Sequence, residues 1–298
     1  MGNFNKLVVI EPIVITTDGM IELKNYCKEL VIYDTVPQSD NECIDRIGNA
    51  DAVLTSWQAK ITRAVICKCP NLKYIGMGCS FNDEKYSNID IIAAREKGIV
   101  VSPLKDYGDE GTVEYIVAEL LNVLHGLKNI RWKEKVCELG GLDVGIIGLG
   151  KIGGMTAKAL KFFGSNVFYY SRTRKQNFEN DGTKYLELSD LLKNVDVAIL
   201  CVNRDTEIMD KRAFETFGNG KILVNISLGT CYNVSALDKW LDEDNIYICD
   251  NASMNDKTKH IKTHKSVVYN DLYAGYSMQT DIRATNQTIS NIKNFIGG

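Results

Sequence analysis

The chain has 298 residues, 45% of them hydrophobic, and a formal net charge of −3. That length can bury a sizeable core and suits two domains, and the slightly acidic balance excludes a general attraction to nucleic acid or anionic lipid. The nine cysteines include no CxxC pair, and several lie in apolar runs such as Leu200-Cys201-Val202, which fits reduced thiols in a cytoplasmic protein better than a disulfide framework.

Met1 leads into an apolar strand within a few residues, so no secretory leader is expected. No apolar run is long enough to span a bilayer. In chain order, strands are expected at 6–11, 31–34, 52–55, 72–77 and 99–101, with helices at 21–30, 42–48, 62–66 and 89–97. Strands alternating with helices argue a parallel α/β sheet. This first part has no glycine-rich phosphate loop. A longer helix follows over 111–127, with an apolar stripe of Val113, Ile116, Val117, Leu120, Leu121 and Leu124. It is read as the crossing from a first domain to a second.

The second part opens on the most informative stretch. An apolar strand over 144–147 runs straight into Gly148-x-Gly150-x-x-Gly153. A helix follows, with Ile152, Met155, Thr156, Ala159, Leu160 and Phe163 on one face and Gly164 as its stop. Another strand follows at 167–170. The glycines therefore sit where a strand turns into a helix inside a βαβ unit. Gly148 permits the tight turn, Gly150 lets a pyrophosphate approach the backbone, and Gly153 lets helix and strand pack closely. The positive end of the helix then meets the phosphates. A lone GxGxxG is a weak sign, but in this context it is strong. Further strands are expected at 197–202, 222–226, 247–249 and 267–269, and a last helix at 280–296 can return to the first domain. There is no solenoid-like repeat and no low-complexity segment.

The tip of the strand after the glycine helix bears on cofactor choice. A fold selecting NAD places Asp or Glu there, to bond the ribose 2′-OH. Here Ser171 holds that place, followed by Arg172, Thr173, Arg174 and Lys175. A carboxylate would repel a 2′-phosphate, whereas a hydroxyl and two guanidinium groups would bind one. NADP(H) is thus the preferred cofactor and NAD(H) the second choice. A solvated basic loop is the plainer reading of the same residues.

Several stretches together resemble the D-2-hydroxyacid dehydrogenase family. They are Asn88-Ile89-Asp90 with Ala94-Arg95-Glu96-Lys97-Gly98-Ile99, then 110–121, 144–153, Leu223-Val224-Asn225 and Ala274-Gly275-Tyr276-Ser277. The resemblance covers nearly the whole chain. It implies an α/β fold of two Rossmann-like domains with parallel sheets, a cleft between them that holds a small-molecule substrate, and a homodimer. Residues 1–104 with 275–298 would form the substrate domain, and 105–274 the dinucleotide-binding domain. The link between Arg131 and Gly140 is shorter than is usual in the family.

The resemblance carries several cofactor positions. Besides Gly148, Gly150, Lys151, Ile152 and Gly153, Thr112 falls near the nicotinamide, as do Ile226 and Ser227. Cys201 and Val202 end the strand beside the adenosine ribose, and Asp250 matches the aspartate that bonds the carboxamide. A turn or helix cap is the plainer role for an Asp at a strand end. The family's catalytic set does not carry over. Its substrate-binding Arg corresponds to Leu228, its Glu to Ser253 and its acid–base His to Leu272. Reducing a 2-oxo acid puts negative charge on the carbonyl oxygen and then requires a proton. Leucine can neither donate that proton nor pair with a carboxylate. The losses are coherent, since a Glu without its His has nothing to tune.

Other candidates are weaker. His260-x-x-x-His264 has metal-ligand spacing but lies among lysines, so no metal site is expected. His125 reads as a surface or C-cap residue. The loop Met77-Gly78-Cys79-Ser80-Phe81-Asn82 would, by the resemblance, offer amides to the substrate. Cys79 in it could be reactive, although an apolar Cys is usually inert. Tyr273 and Tyr276 flank the lost His position and carry hydroxyls that can donate a proton. The expected function is an NADP(H)-dependent oxidoreductase with an altered substrate or mechanism, its catalytic residue unidentified. The alternatives are a silent NADP(H)-binding sensor or scaffold, and an enzyme that keeps the nucleotide without net redox on a hydroxy acid.

Overall fold

In the computed structural model, which describes residues 3–80 and 84–298, the apolar runs become two all-parallel sheets. The chain folds as two units, 1–107 with 277–298 and 108–276. Each is a Rossmann-like α/β unit.

The first unit has strands β1 (Phe4–Val9), β2 (Cys27–Ile32), β3 (Ala52–Thr55), β4 (Tyr74–Met77) and β5 (Val100–Ser102), in the order β2-β1-β3-β4-β5. Its helices α1 (Thr17–Glu22), α2 (Asp40–Ile47), α3 (Arg63–Lys68) and α4 (Ile91–Glu96) start alike. Thr16, Ser39, Thr62 and Asp90 each accept a bond from the amide three residues on. Those side chains satisfy helix amides that have no partner within the helix.

The expected helix over 21–30 is the main correction. The Thr16 cap starts α1 earlier, a 3-10 turn occupies Leu23–Tyr26, and β2 begins at Cys27. Residues from Cys27 on pair in register with β1 from Phe4 on. As an edge strand, β2 buries only Cys27 fully, so it shows no clean two-residue period.

The second unit has α5 (Asp109–His125), β6 (Asp143–Ile147), α6 (Lys151–Phe162), β7 (Asn166–Tyr170), α7 (Gln176–Asn180), β8 (Lys184–Tyr185), α8 (Leu188–Asn194), β9 (Val197–Leu200), α9 (Lys211–Phe217), β10 (Ile222–Asn225), α10 (Val234–Leu241), β11 (Ile246–Cys249) and β12 (Val267–Tyr269). Helices α7 to α10 and strand β8 have no counterpart among the expected elements. The sheet order is β12-β11-β10-β9-β6-β7-β8. The sheet grows one way from β6 to β8 and the other way from β9 to β12. Ligands of open α/β sheets bind outside the strand ends at such a switch. One core, with Ile116, Leu120, Ala157 and Leu160, joins α5 and α6 to the sheet; another, with Leu191, Phe214 and Trp240, joins α8 to α10.

Last comes α11 (Met278–Gly297), capped by Ser277, which packs within the first unit. Its Phe295 ring lies 5.6 Å from Phe4 and 4.9 Å from Tyr74. No helix among the described residues is long and apolar enough to cross a membrane. No disulfide joins any of the cysteines.

Candidate functional site

The glycine loop lies at the switch between β6 and β9. Gly148 has a φ of +100°, a backbone that L side chains rarely adopt. Its amide donates to Tyr170 O at 2.8 Å, and a Cβ on it would stand 2.2 Å from Cys201 O. Gly148 thus fits between the tips of β7 and β9. A Cβ on Gly153 would stand 2.2 Å from Gly148 O and 3.1 Å from Ile146 Cγ2. That closeness holds α6 on β6. Gly150 differs from both, because nothing lies within 4 Å of where its Cβ would be. It is the N-cap of α6 and supplies no capping side chain. An open glycine before a helix start with no side-chain cap leaves room and uncapped amides of the kind that suit a dinucleotide pyrophosphate. Lys151 in this loop pairs with Asp109 of α5 at 3.1 Å. Ile152 is half-buried against the core. Gly154 was not marked by the sequence pattern; the Phe178 ring lies 2.5 Å from its Cβ position, so a larger residue there would displace the ring.

The loop after β7 is organised by a residue that no motif singled out. Glu179 of α7 binds Arg174 through Nε at 3.0 Å and through Nη2, and accepts from Tyr169 Oη at 2.7 Å. Arg174 and the Tyr169 hydroxyl hold the Glu179 carboxyl below its usual range. The Arg174 guanidinium also lies 5.0 Å from the centre of the Tyr185 ring in β8. The Lys175 amide donates to Tyr169 Oη at 2.7 Å. Ser171 turns its hydroxyl onto Thr173 O. Arg172 and Thr173 are exposed. The four residues expected at the 2′-phosphate are therefore not equivalent, since Arg174 is already held toward the β8 edge.

Beyond β9 and β10 the residues serve the chain itself. Ser227 is buried; its hydroxyl donates to Leu200 O at 3.0 Å and accepts from the Val202 amide at 2.9 Å. The Cys201 amide donates to Ile147 O at 2.8 Å. Burial pushes the Cys201 thiol up to about 12, so it is no thiolate nucleophile at neutral pH. Ile226 is buried in the core. Thr112 is buried near the start of α5, where its hydroxyl donates to Gly108 O at 2.9 Å, and it lies against Gly275.

Asp250 acts as a cap. Its Oδ1 accepts from the Ser253 amide at 3.2 Å and hydroxyl at 3.0 Å, and its Oδ2 from the Ala274 amide at 2.9 Å. The side chain is only 3% exposed, and burial pushes its carboxyl up against the pull of those bonds. Nothing about this Asp calls for a carboxamide to explain it. Ser253 is fully buried and also donates to Asn225 O at 2.7 Å.

These loops form one network. The Gly229 amide donates to Ala252 O at 2.8 Å, and the Asn251 amide to Leu272 O at 2.9 Å. Leu228, Ser253 and Leu272 thus belong to adjoining loops at the ends of β10, β11 and β12. The leucines project from it, 41% and 44% exposed. Tyr273 and Tyr276 are also exposed, with ring centres 5.0 Å apart. Two further residues fix these loops and escaped the sequence reading. Asp205, at φ +52°, donates its amide to Leu228 O and accepts from the Thr230 amide at 3.2 Å. Glu119 of α5 is buried and accepts from Asn270 Nδ2 at 2.8 Å and Lys128 Nζ at 2.9 Å. A buried acid on an apolar helix is the only sign that could have marked it.

The remaining candidates fall elsewhere. His260 pairs with Asp238 at 2.8 Å, and His264 accepts from the Ser266 amide at 3.2 Å. No group of His, Cys, Asp or Glu among the described residues is arranged to hold a metal ion. His125 is in the last turn of α5, which ends on the left-handed Gly126. Cys79 is buried, while Phe81 and Asn82 of its loop lie outside the described residues.

Known proteins agree with this architecture. The chain is 32% identical over 221 residues to a hydroxypyruvate reductase of Blautia hydrogenotrophica, covering 67% of each. Its fold is similar to a D-isomer specific 2-hydroxyacid dehydrogenase from Polaromonas sp. JS6 66, with TM-score 0.84 and 22% identity over 98% of this chain and 96% of that one. It is similar also to an acyclic imino acid reductase in complex with NADPH and D-Arg, with TM-score 0.81 and 22% identity over 98% and 97%. The model of the NAD-binding domain of D-isomer specific 2-hydroxyacid dehydrogenases matches residues 117–268. Glycine cradle, switch point and sequence agree: the chain belongs to the D-isomer specific 2-hydroxyacid dehydrogenase family of NAD(P)-binding oxidoreductases.

Proposed function

We propose that this chain is an NADP(H)-dependent oxidoreductase that does not reduce simple 2-oxo acids. The observation that carries the reading is the contrast between an open glycine cradle and the exposed leucines at 228 and 272. Gly148, Gly150, Lys151, Ile152 and Gly153 would hold the pyrophosphate, and Ser171, Arg172 and Thr173 would meet the ribose end. The bound cofactor supplies a hydride. What this chain's residues then offer is a wall of Leu228, Leu272, Tyr273 and Tyr276, apolar apart from two phenol hydroxyls. Such a wall offers a carboxylate no cation, and a developing oxyanion only the two phenol hydroxyls.

A substrate reduced there must make small demands on its surroundings. A protonated imine does so, because it already carries its proton and becomes neutral on gaining a hydride. An imino acid reductase shares the fold, so the fold does not confine the chemistry to 2-oxo acids. The silent-binder reading is favoured by Asp250, whose cap role leaves it no required place in catalysis. Titration with NADPH and NADH, followed by NADPH oxidation with matched 2-oxo acids and imines, tests the choice. Tighter NADPH binding with turnover of imines alone is expected. Binding without any turnover would favour the silent binder. Fast oxidation with pyruvate, glyoxylate or hydroxypyruvate would overturn the reading.

A further inference from the structure

The basic run after β7 is divided by the fold. Arg174 is gripped by Glu179 through two nitrogens and lies over Tyr185 at the β8 edge of the sheet. The switch point, on the far side of β7, is where the cofactor lies in such sheets. Arg172 is exposed and makes no hydrogen bond or ion pair among the described residues. Glu179 is itself tied to the strand by Tyr169, whose side chain is buried. So a carboxylate with one neighbour in the core stands beside the cation that the sequence would assign to the phosphate.

We propose that Glu179 is a specificity-determining residue: it neutralises Arg174 and holds it off the 2′-phosphate, leaving Arg172 as the one arginine that reads NADP(H). This rests on the cofactor reading above. The pair adds no net charge to the loop, so a 2′-phosphate gains from Arg172 and little from Arg174. The device caps the preference for NADP(H) and leaves NAD(H) binding possible through a ribose that meets only Ser171 and Thr173.

The test is direct binding of NADPH, NADH and the fragment 2′,5′-ADP, with melting temperature as the control for folding. Arg172→Ala should weaken NADPH and 2′,5′-ADP about tenfold or more and leave NADH unchanged. Glu179→Gln frees the Arg174 charge and should tighten NADPH and 2′,5′-ADP by roughly twofold to tenfold, again without moving NADH. Removing both charges, with Arg174→Gln added to Glu179→Gln, should return the NADPH to NADH ratio to within about twofold of the starting protein. Weaker NADH binding in Glu179→Gln would mean that Glu179 is the ribose-binding acid, and would overturn the proposal. An unchanged or weakened NADPH affinity in that variant would overturn it as well. Equal affinities for the two cofactors in the unaltered protein, with no response to Arg172→Ala, would show instead that the cofactor reading itself fails.

Discussion

The tips of β6 and β7 and the tips of β10 to β12 belong to one sheet, yet they are built by opposite means. At the first, side chains are removed. Gly148 and Gly153 have no room for a Cβ, and Gly150 has room but no side chain. At the second, polar side chains are turned inward. Asp250 and Ser253 bond to amides, carbonyls and each other in a buried network, while Leu228 and Leu272 reach solvent with Tyr273 and Tyr276. A cradle made of backbone is tied to the fold, because the open Gly150 lies between Gly148 and Gly153, which let strand and helix touch. A site made of projecting side chains is not, so its chemistry can change while the sheet stays as it is.

The largest effect should appear in the family's ordinary reaction. Loss of a proton donor costs about 100-fold to 10,000-fold, and loss of oxyanion stabilisation roughly 100-fold to 1,000-fold. The two need not add, since such residues act as a unit. NADPH oxidation with pyruvate, glyoxylate or hydroxypyruvate should therefore fall at least about 100-fold below that of a reductase with the full catalytic set. Rates within tenfold of one another would break the contrast between the two ends of the sheet.

Substitution within the cradle sharpens it next. Gly148→Ala forces a Cβ against the Cys201 carbonyl at a φ of +100°. It should destabilise the protein by about 2–5 kcal/mol, from overpacking and strained backbone together. Gly150→Ala meets nothing and keeps an allowed backbone. Its stability cost should stay below about 1 kcal/mol, while NADPH binding weakens more than tenfold because a methyl stands where the pyrophosphate approaches. Denaturant melts and NADPH titrations on both variants measure the two effects separately. A Gly150→Ala protein that binds NADPH normally would mean that the open space is not the phosphate site.

How much could be read from the sequence follows the same division. The glycine loop was legible because strand, turn and helix are local and each constrains residue type. Strand β3, at 52–55, was legible for the same reason, being a short buried run. Of edge strand β2, 31–32 falls in the expected strand but 27–30 in the expected helix, since its start is set by pairing with β1 and not by its own pattern. Helices α7 and α8 are short and were passed over. The network around Glu179 and the buried Glu119 were not legible at all. Their partners, Tyr169, Arg174 and Asn270, are distant or ambiguous in sequence, and an acid in a helix looks like solvated surface until the fold buries it. Asp250 shows the converse. A motif match and a cap look alike in sequence, and the geometry supplies the cap.

The smallest effects test whether the second end of the sheet can be reversed. Ser253 is fully buried and donates to Asn225 O, so Ser253→Ala should cost about 1–3 kcal/mol. Ser253→Glu should cost more than about 3 kcal/mol, because a second carboxylate enters a closed site beside Asp250. Leu228 and Leu272 are open to solvent, so Leu228→Arg with Leu272→His should change stability by less than about 1 kcal/mol. That double variant replaces two of the three missing groups and lacks the acid that orients a histidine. The gain on hydroxypyruvate should then stay below about tenfold, since members of such a set contribute little apart from one another. Thermal melts and steady-state rates decide it. A double variant approaching the rate of a complete reductase would show that the loops had kept the ordinary geometry and that two side chains alone had been lost. A small gain on a stable protein would show that the closed Ser253 site is what keeps this end of the sheet from returning to 2-oxo acid chemistry.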